Sequence, residues 1–133
     1  MKENVIDNEK IDRRVRGLVK VLNKIPGVTT SVSCGGHTDP NACQAPEGHF
    51  YVRFTMRPFQ KAQRALAIIS HAGYLATLTS RRRHNSHPTI ILSVNIMKIN
   101  DITKANPRAL GFELRGGHVS PARIAEGIEQ LLL

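Results

Sequence analysis

The sequence predicts one α+β domain over residues 1–133, in which helices pack on a mixed or antiparallel sheet. Apolar residues recur at helical spacing near both ends of the chain. Residues 50–56 alternate between apolar and polar side chains, which is the period of a half-buried strand. Residues 89–97 are rich in β-branched side chains, which favour strands. The predicted element order is α-β-β-α-β-β-(β)-α.

The first predicted element is an amphipathic helix over residues 9–24. The apolar residues that define it share one helical face: Ile11, Val15, Leu18, Val19, Leu22 and Ile25. Pro26-Gly27 ends this helix, because proline cannot continue it and glycine favours a turn. The Val, Thr and Ser residues of 28–33 then predict a short strand.

The middle of the chain predicts a second helix that is followed by two strands. Pro58 suits the first turn of this helix, and Gly73 suits its end. Residues 74–80 alternate in polarity, which predicts a strand there. Residues 81–88 are predicted to form a basic turn, and residues 89–97 the β-branched strand that follows it.

The last part of the chain predicts a short strand and a final helix. Asn106-Pro107 is a breaker of regular structure. Residues 112–114 are assigned the bracketed strand of the element order, at an edge of the sheet. Ser120 and Pro121 have the residue types of a helix N-cap and first turn, which predicts a helix that continues to Leu132.

The net charge is +9 at pH 7, and its distribution is uneven. Residues 48–100 contain no Asp or Glu. Such a segregated excess of positive charge favours a polyanionic partner, most often nucleic acid. The predicted nucleic-acid contacts are basic residues of this stretch: Arg53, Arg57, Lys61, Arg64, Arg81, Arg82 and Arg83. The alternatives are a solvated basic face and an acidic protein surface as the partner.

The composition argues against a membrane or secreted protein. No apolar run approaches the roughly 20 residues of a membrane helix. Residues 1–10 are polar and mixed in charge, unlike a secretory signal. With two cysteines and no such signal, we expect a cytoplasmic protein with free or metal-bound thiols and no membrane partner.

The most informative segment of the chain reads Cys-Gly-Gly-His over residues 34–37. With the next cysteine and histidine it forms the pattern Cys-x2-His-x5-Cys-x5-His, whose first pair has the spacing of zinc ligands. This pattern predicts a zinc site with four ligands: Cys34, His37, Cys43 and His49. The alternatives are a Cys34–Cys43 disulfide, which a reducing cytosol disfavours, or a small buried cysteine beside two loop histidines.

The same segment also predicts a ligand site. Glycines after a strand expose backbone N–H groups to an anion or small ligand, and a histidine can bind phosphate or carry a proton. The candidate catalytic residues are Cys34, His37 and Ser33. The candidate ligand-binding residues are Ser31, Gly35, Gly36 and His49. The alternative is a tight turn whose glycines need positive φ.

The sequence around this segment resembles that of a known family. Ile11-Asp12, a helix, Pro26-Gly27 and the strand end Thr30-Ser31-x-Ser33-Cys34-x-Gly36 are similar to the start of the tRNA wybutosine-synthesizing Tyw3 family. That family carries an Ile-Asp, a helix and a Thr-Ser-Ser-Cys-Ser-Gly-Arg strand end. Residues 50–54 and 62–74 match its next elements in placement, and the resemblance spans about residues 11–97.

This resemblance implies a Tyw3-like fold, an RNA partner and methylation of a tricyclic guanosine in tRNA with S-adenosylmethionine as the cofactor. By position, it would put four residues in the active cleft: Ser31, Ser33, Cys34 and Gly36. Gly35 and His37 stand where the family has a serine and an arginine, and Asn8-Glu9-Lys10 replaces its Ser-x-x-Gly. The loop with Cys43 and His49 also differs from the family. The resemblance therefore favours a shared fold over a shared activity.

Three functions follow from these patterns. The first is a basic protein with a Tyw3-like fold that binds RNA or modifies it. The second is a non-enzymatic inhibitor or interaction protein that covers an acidic or nucleic-acid-binding protein surface. The third is a zinc-dependent enzyme that uses the loop of residues 34–49.

Overall fold

The computed structural model describes residues 11–41, 44–56, 61–80, 87–95 and 110–133. The helices are α1 (Arg16–Leu22), α2 (Ala62–Thr79) and α3 (Pro121–Leu131). The strands are β1 (Val28–Cys34), β2 (His49–Met56), β3 (Thr89–Asn95) and β4 (Leu110–Gly117). The predicted α+β class is confirmed.

The four strands form one antiparallel sheet in the order β1-β2-β4-β3. β2 and β4 are the central strands, and β1 and β3 are the two edges. Val52 of β2 and Leu92 of β3 both pair with Leu114 of β4. Because side chains alternate along a strand, this register gathers the apolar residues of three strands on one face.

The three helices cover that apolar face of the sheet. α3 contacts both α1 and α2, and α1 and α2 contact the edge strands β1 and β3. The largest fully buried side chains of this core come from both layers: Leu18, Leu22, Phe50, Phe54, Met56, Ile69, Leu114, Ile124 and Ile128. Burial of each such side chain contributes about 1.5–3 kcal/mol to folding, so this layer contact is the main source of stability.

The opposite face of the sheet, which we call the open face, has no helix on it among the described residues. It carries the alternate residues of the central strands, including Tyr51, Arg53, Glu113 and Arg115. A small separate cluster of Cys34, Ala45 and Tyr51 is buried on this side, where the loop after β1 folds back over the sheet.

The strand predicted for residues 74–80 is wrong, because α2 runs without a break through Gly73 and includes most of that segment. Ala72 and Ala76 continue the buried stripe of this helix. A Cβ placed on Gly127 of α3 would lie only 3.1 Å from Cβ of Ala72, so the two helices pack closely. This helix contact, which is tertiary, outweighs the local alternation of polarity.

Residues 112–114 were predicted as a short edge strand, but they are the middle of β4, which pairs on both sides. The predicted strand was too short because β4 has glycines near both ends, and glycine does not favour strands. Gly116 is required by packing, since the ring of Phe50 occupies the space that a Cβ would take.

The remaining helix and strand boundaries differ less from the prediction. α1 is shorter than the predicted helix of residues 9–24, and a turn at residues 13–15 precedes it. Pro58, Asn106-Pro107 and the last two residues of the predicted strand 89–97 lie outside the described residues. Within the part of the chain that is described, no helix has the length and apolar character needed to cross a membrane.

Candidate functional site

The Cys-Gly-Gly-His segment is a tight turn at the end of β1. Gly36 has a φ of +97°, and a Cβ there would lie 2.5 Å from the carbonyl oxygen of His49 and 2.9 Å from that of Pro46. The backbone N–H of His37 donates to the carbonyl oxygen of Ala45 at 2.9 Å. Glycine is therefore needed at position 36 for both its conformation and its close backbone neighbours.

Asp12, which precedes α1, binds this turn and was not among the predicted site residues. Its Oδ2 accepts the backbone N–H of Gly35 at 3.2 Å and lies 3.8 Å from Nε2 of His37. Its Oδ1 accepts both the backbone N–H and Nε of Arg14, at 3.0 and 3.2 Å. The predicted anion-binding N–H of Gly35 is thus already bound to a carboxylate within the protein. The Ile-Asp of the family resemblance was the only sequence signal for Asp12.

The pKa of Asp12 is lowered in this setting. Burial alone would raise the pKa of this carboxyl, but the hydrogen bonds from the backbone and side chain of Arg14, its charge and the N–H of Gly35 outweigh it. Asp12 therefore carries a negative charge that fastens the turn before α1 to the turn after β1.

Cys34 and Ser33 leave opposite faces of β1. Cys34 pairs with Tyr51 and is a buried free cysteine, whose Sγ accepts the backbone N–H of Ala45 at 3.3 Å. Ser33 pairs with Val52, on the helix-covered face. Ser31 sits at the bulge of β1, and its hydroxyl donates to the carbonyl oxygen of Arg53 at 3.3 Å. The structure does not bring the predicted catalytic residues Cys34, His37 and Ser33 together on one surface.

The ring of His49 packs against the ring of another histidine and not against the other predicted zinc ligands. Its ring meets that of His118 edge to face, with the centroids 5.0 Å apart, and it lies over Gly117, where a Cβ would be 2.8 Å from the ring. Burial lowers the pKa of His49, and the charges of His118 and Arg115 lower it further. His118 has a φ of +54°, unusual for a residue other than glycine.

Among the residues that the structure describes, no three His, Cys, Asp or Glu side chains converge as metal ligands would. Cys43 lies outside those residues, so the four-ligand zinc site stays a prediction. The positions of Cys34 and His49 give it no support, because the thiol is enclosed by Ala45 and Tyr51 and the imidazole packs on His118.

The open face holds a cluster of four side chains that we call the arginine pair site: Tyr51, Arg53, Glu113 and Arg115. Nε of Arg53 donates to Oε2 of Glu113 at 3.0 Å, and Nε of Arg115 donates to Oε1 at 2.9 Å. The two guanidinium carbons lie 5.2 and 5.1 Å from the ring centroid of Tyr51, within the range of cation–π contacts. One carboxylate and one ring therefore fix two arginines from neighbouring strands.

This cluster presents positive charge to solvent. The side chain of Glu113 is 15% exposed, whereas those of Arg53 and Arg115 are 41% and 39% exposed. Burial would raise the pKa of Glu113, but the hydrogen bonds and charges of Arg115 and Arg53 lower it, so the carboxyl is ionised. Two cations against one anion leave a net charge of about +1, and no described residue accepts a hydrogen bond from the terminal Nη atoms.

The other predicted basic contacts do not join this cluster. Arg64 of α2 and Lys61, the residue just before this helix, are exposed and border a hollow of about 280 Å³ beside Ile25 and Pro26. That hollow belongs to the helix layer, on the other side of the sheet from Arg53. The remaining four arginines of the prediction lie outside the described residues: Arg57, Arg81, Arg82 and Arg83.

Comparison with protein-family models, with curated proteins and with solved structures finds no match to this chain. The resemblance to the Tyw3 family thus rests on the residues quoted for it.

The buried thiol of Cys34 gives a direct prediction. In a Cys43→Ser background, we expect Cys34 to react with a thiol reagent at least about a hundredfold more slowly in the folded protein than in urea, because β1 must open first. Thr38→Cys, in a chain that lacks both native cysteines, is the matched control, since Thr38 is exposed in the same loop. Equal rates for the two thiols would contradict the structural role of Cys34.

Asp12 gives a prediction about pH. The folded protein lowers the pKa of Asp12 below its ordinary value of 3.8, so this stabilisation exists above that pH and is lost as the pH falls through the folded pKa. Asp12→Asn should lower the free energy of unfolding by about 1–2 kcal/mol at pH 7, and this difference from wild type should shrink below about pH 4.

The measurement for Asp12 is urea unfolding at pH 7 and at several lower pH values. Asp39→Asn is the matched control, because Asp39 is an exposed carboxylate in the loop that follows the same turn. A difference for Asp12→Asn that stays constant to pH 2.5, or that Asp39→Asn reproduces, would show that the charge of Asp12 is not what fastens the turn.

Proposed function

We propose that this protein binds RNA on the open face of its sheet, with Arg53 and Arg115 as phosphate contacts. The observation that carries the proposal is the arginine pair site, in which Glu113 lies beneath two guanidinium groups that are about 40% exposed. The carboxylate uses only Nε of each arginine. The terminal Nη atoms, which form the fork that suits phosphate oxygens, are left for a ligand.

Fixing the two arginines before binding favours affinity. A free arginine side chain loses about 0.5–1.5 kcal/mol of conformational freedom when a ligand immobilises it. Here Glu113 and Tyr51 already hold both guanidinium groups in place. Their immobilisation is part of folding, so less of the interaction energy with phosphate is lost on binding.

The shape of the open face favours single-stranded RNA. A sheet face is broad and does not fit the grooves of a duplex as a helix does. Unpaired bases can stack on guanidinium planes, and single strands follow cationic surfaces with little sequence preference. The resemblance to the Tyw3 family also supports an RNA partner, because that family acts on tRNA.

The proposal covers binding and not the methyl transfer that the resemblance implies. Ser33 and Cys34 leave opposite faces of β1, and the thiol of Cys34 is buried, so the positions carried over from the family do not form one cleft here. Binding on the open face needs neither residue and does not depend on S-adenosylmethionine.

The test is a salt titration of binding to single-stranded RNA, measured by fluorescence anisotropy. If four or five phosphates are contacted, the slope of log K against log salt should be about −3. Arg53→Gln with Arg115→Gln should make the slope less negative by about 1.4 and weaken binding about tenfold at low salt, since two contacts are lost. Single-stranded DNA and an RNA duplex serve as comparison ligands.

Three further double variants separate the effect of charge from the effects of geometry and location. Lys20→Gln with Lys24→Gln removes the same charge from α1 and the turn that follows it, and should leave the slope unchanged. Arg53→Lys with Arg115→Lys keeps the charge but loses the planar fork, so the slope should hold while affinity falls several-fold. No binding at low salt, or a loss that appears only for Lys61→Gln with Arg64→Gln, would overturn the proposal.

A further inference from the structure

One part of the described surface of this basic protein, formed by α2 and β3, is apolar. Residues 65–80 and 87–95, which form most of α2 and all of β3, contain no Asp, Glu, Lys or Arg. Four of their apolar side chains are largely exposed, and we call them the apolar edge: Tyr74, Leu78, Ile91 and Val94. Depletion of charge together with exposed aromatic and aliphatic side chains is the composition of a protein–protein interface core.

A groove accompanies these exposed side chains. It has a volume of about 540 Å³ and lies between α2 and β3, where Ile69, Tyr74, Ile90 and Leu92 line it. Tyr74 borders the groove and is 61% exposed. The same surface therefore presents both projecting apolar side chains and an apolar hollow, as a two-fold contact between identical surfaces requires.

The two edges of the sheet differ in their protection. β1 is bulged at Ser31, and Asn23 both accepts the backbone N–H of Thr30 at 3.1 Å and donates to its hydroxyl at 2.8 Å. Bulges and covered backbone groups are ordinary means of blocking an edge. β3 pairs with β4 in unbroken register, and among the described residues no side chain hydrogen-bonds to its backbone. Within the part of the chain that is described, β3 is therefore the edge that is open to another strand.

We propose that β3 pairs in antiparallel fashion with β3 of a second copy of this chain, about a two-fold axis. Tyr74 and Leu78 of each copy then pack beside the groove of the other. A second copy fits this surface because the described residues of α2 beyond Arg64 and of β3 carry no Asp, Glu, Lys or Arg, so these residues of two chains of charge +9 can meet without opposing like charges. The proposal does not depend on RNA binding.

The size of the surface sets the expected strength. A strand of seven residues is about 24 Å long and the two layers are together about 20 Å thick, so pairing covers about 500 Å² per copy. The total of about 1,000 Å² is at the lower end of specific interfaces, which predicts a dimer with a dissociation constant on the order of micromolar.

The experiment is sedimentation velocity on the full chain, freed of nucleic acid, over about 5–500 µM. We expect a concentration-dependent dimer that becomes several-fold tighter when salt is raised, because salt screens the repulsion between two positively charged copies. Association bridged by nucleic acid would weaken with salt instead. A monomer at all concentrations, or association that weakens with salt, would overturn the proposal.

Three variants locate the contact. Ile91→Lys adds a charge to β3 at a site that is 58% exposed and should abolish the dimer. Tyr74→Lys, at an exposed site of α2, should do the same without touching the sheet, and it decides the matter if the strand variant does not fold. Val32→Lys is the matched control, because Val32 is 48% exposed on the other edge strand. A dimer that survives both test variants, or that is lost with Val32→Lys, contradicts the proposal.

Discussion

Three helices cover one face of a four-stranded sheet, so the alternate residues of the central strands have to be stable against solvent on the other face. The arginine pair site meets this requirement. Tyr51 is buried although no helix of the described residues covers it, and two guanidinium groups together with Cys34 and Ala45 pack around it. The more buried carboxylate of Glu113 partly neutralises the two arginines. Its hydrogen bond to Arg53 also links β4 to β2. The face is thereby both stable and cationic, which is the physical basis of the proposed function.

The turn after β1 has a structural role in the same arrangement. Asp12 fixes the N–H of Gly35, Gly36 supplies the positive φ, and Ala45 packs on Cys34 and Tyr51. Of the residues that look reactive in the sequence, Cys34, His37 and His49 thus contact other residues of the protein. The cations of the open face, in contrast, keep their terminal donors without a described acceptor. A dimer through β3 would leave the central strands of that face uncovered, so the two proposed contacts are compatible.

Much of the fold could be predicted from periodicity, since α1, α3 and strands β1, β2 and β3 have clear local patterns. Residues 74–80 and 112–114 were misassigned because α3 packing and two-sided pairing of β4 decide them, and neither is local information. The site was predicted in part for the same reason. Arg53 was a candidate, but Arg115 and Glu113 become its neighbours only through the register of β2 and β4. Asp12 reaches Gly35 across 23 positions of sequence, which no spacing rule reveals.

The central claim is that RNA meets the protein at the arginine pair site. The most direct measurement is a titration of ¹⁵N-labelled protein with single-stranded RNA, followed through backbone and arginine Nε resonances. We expect the largest shifts on Tyr51, Arg53, Glu113 and Arg115, and we expect the Nε–H signals of both arginines to persist because they stay bonded to Glu113. Shifts confined to Lys61, Arg64 and the rest of the helix layer, or none at saturating RNA, would contradict it.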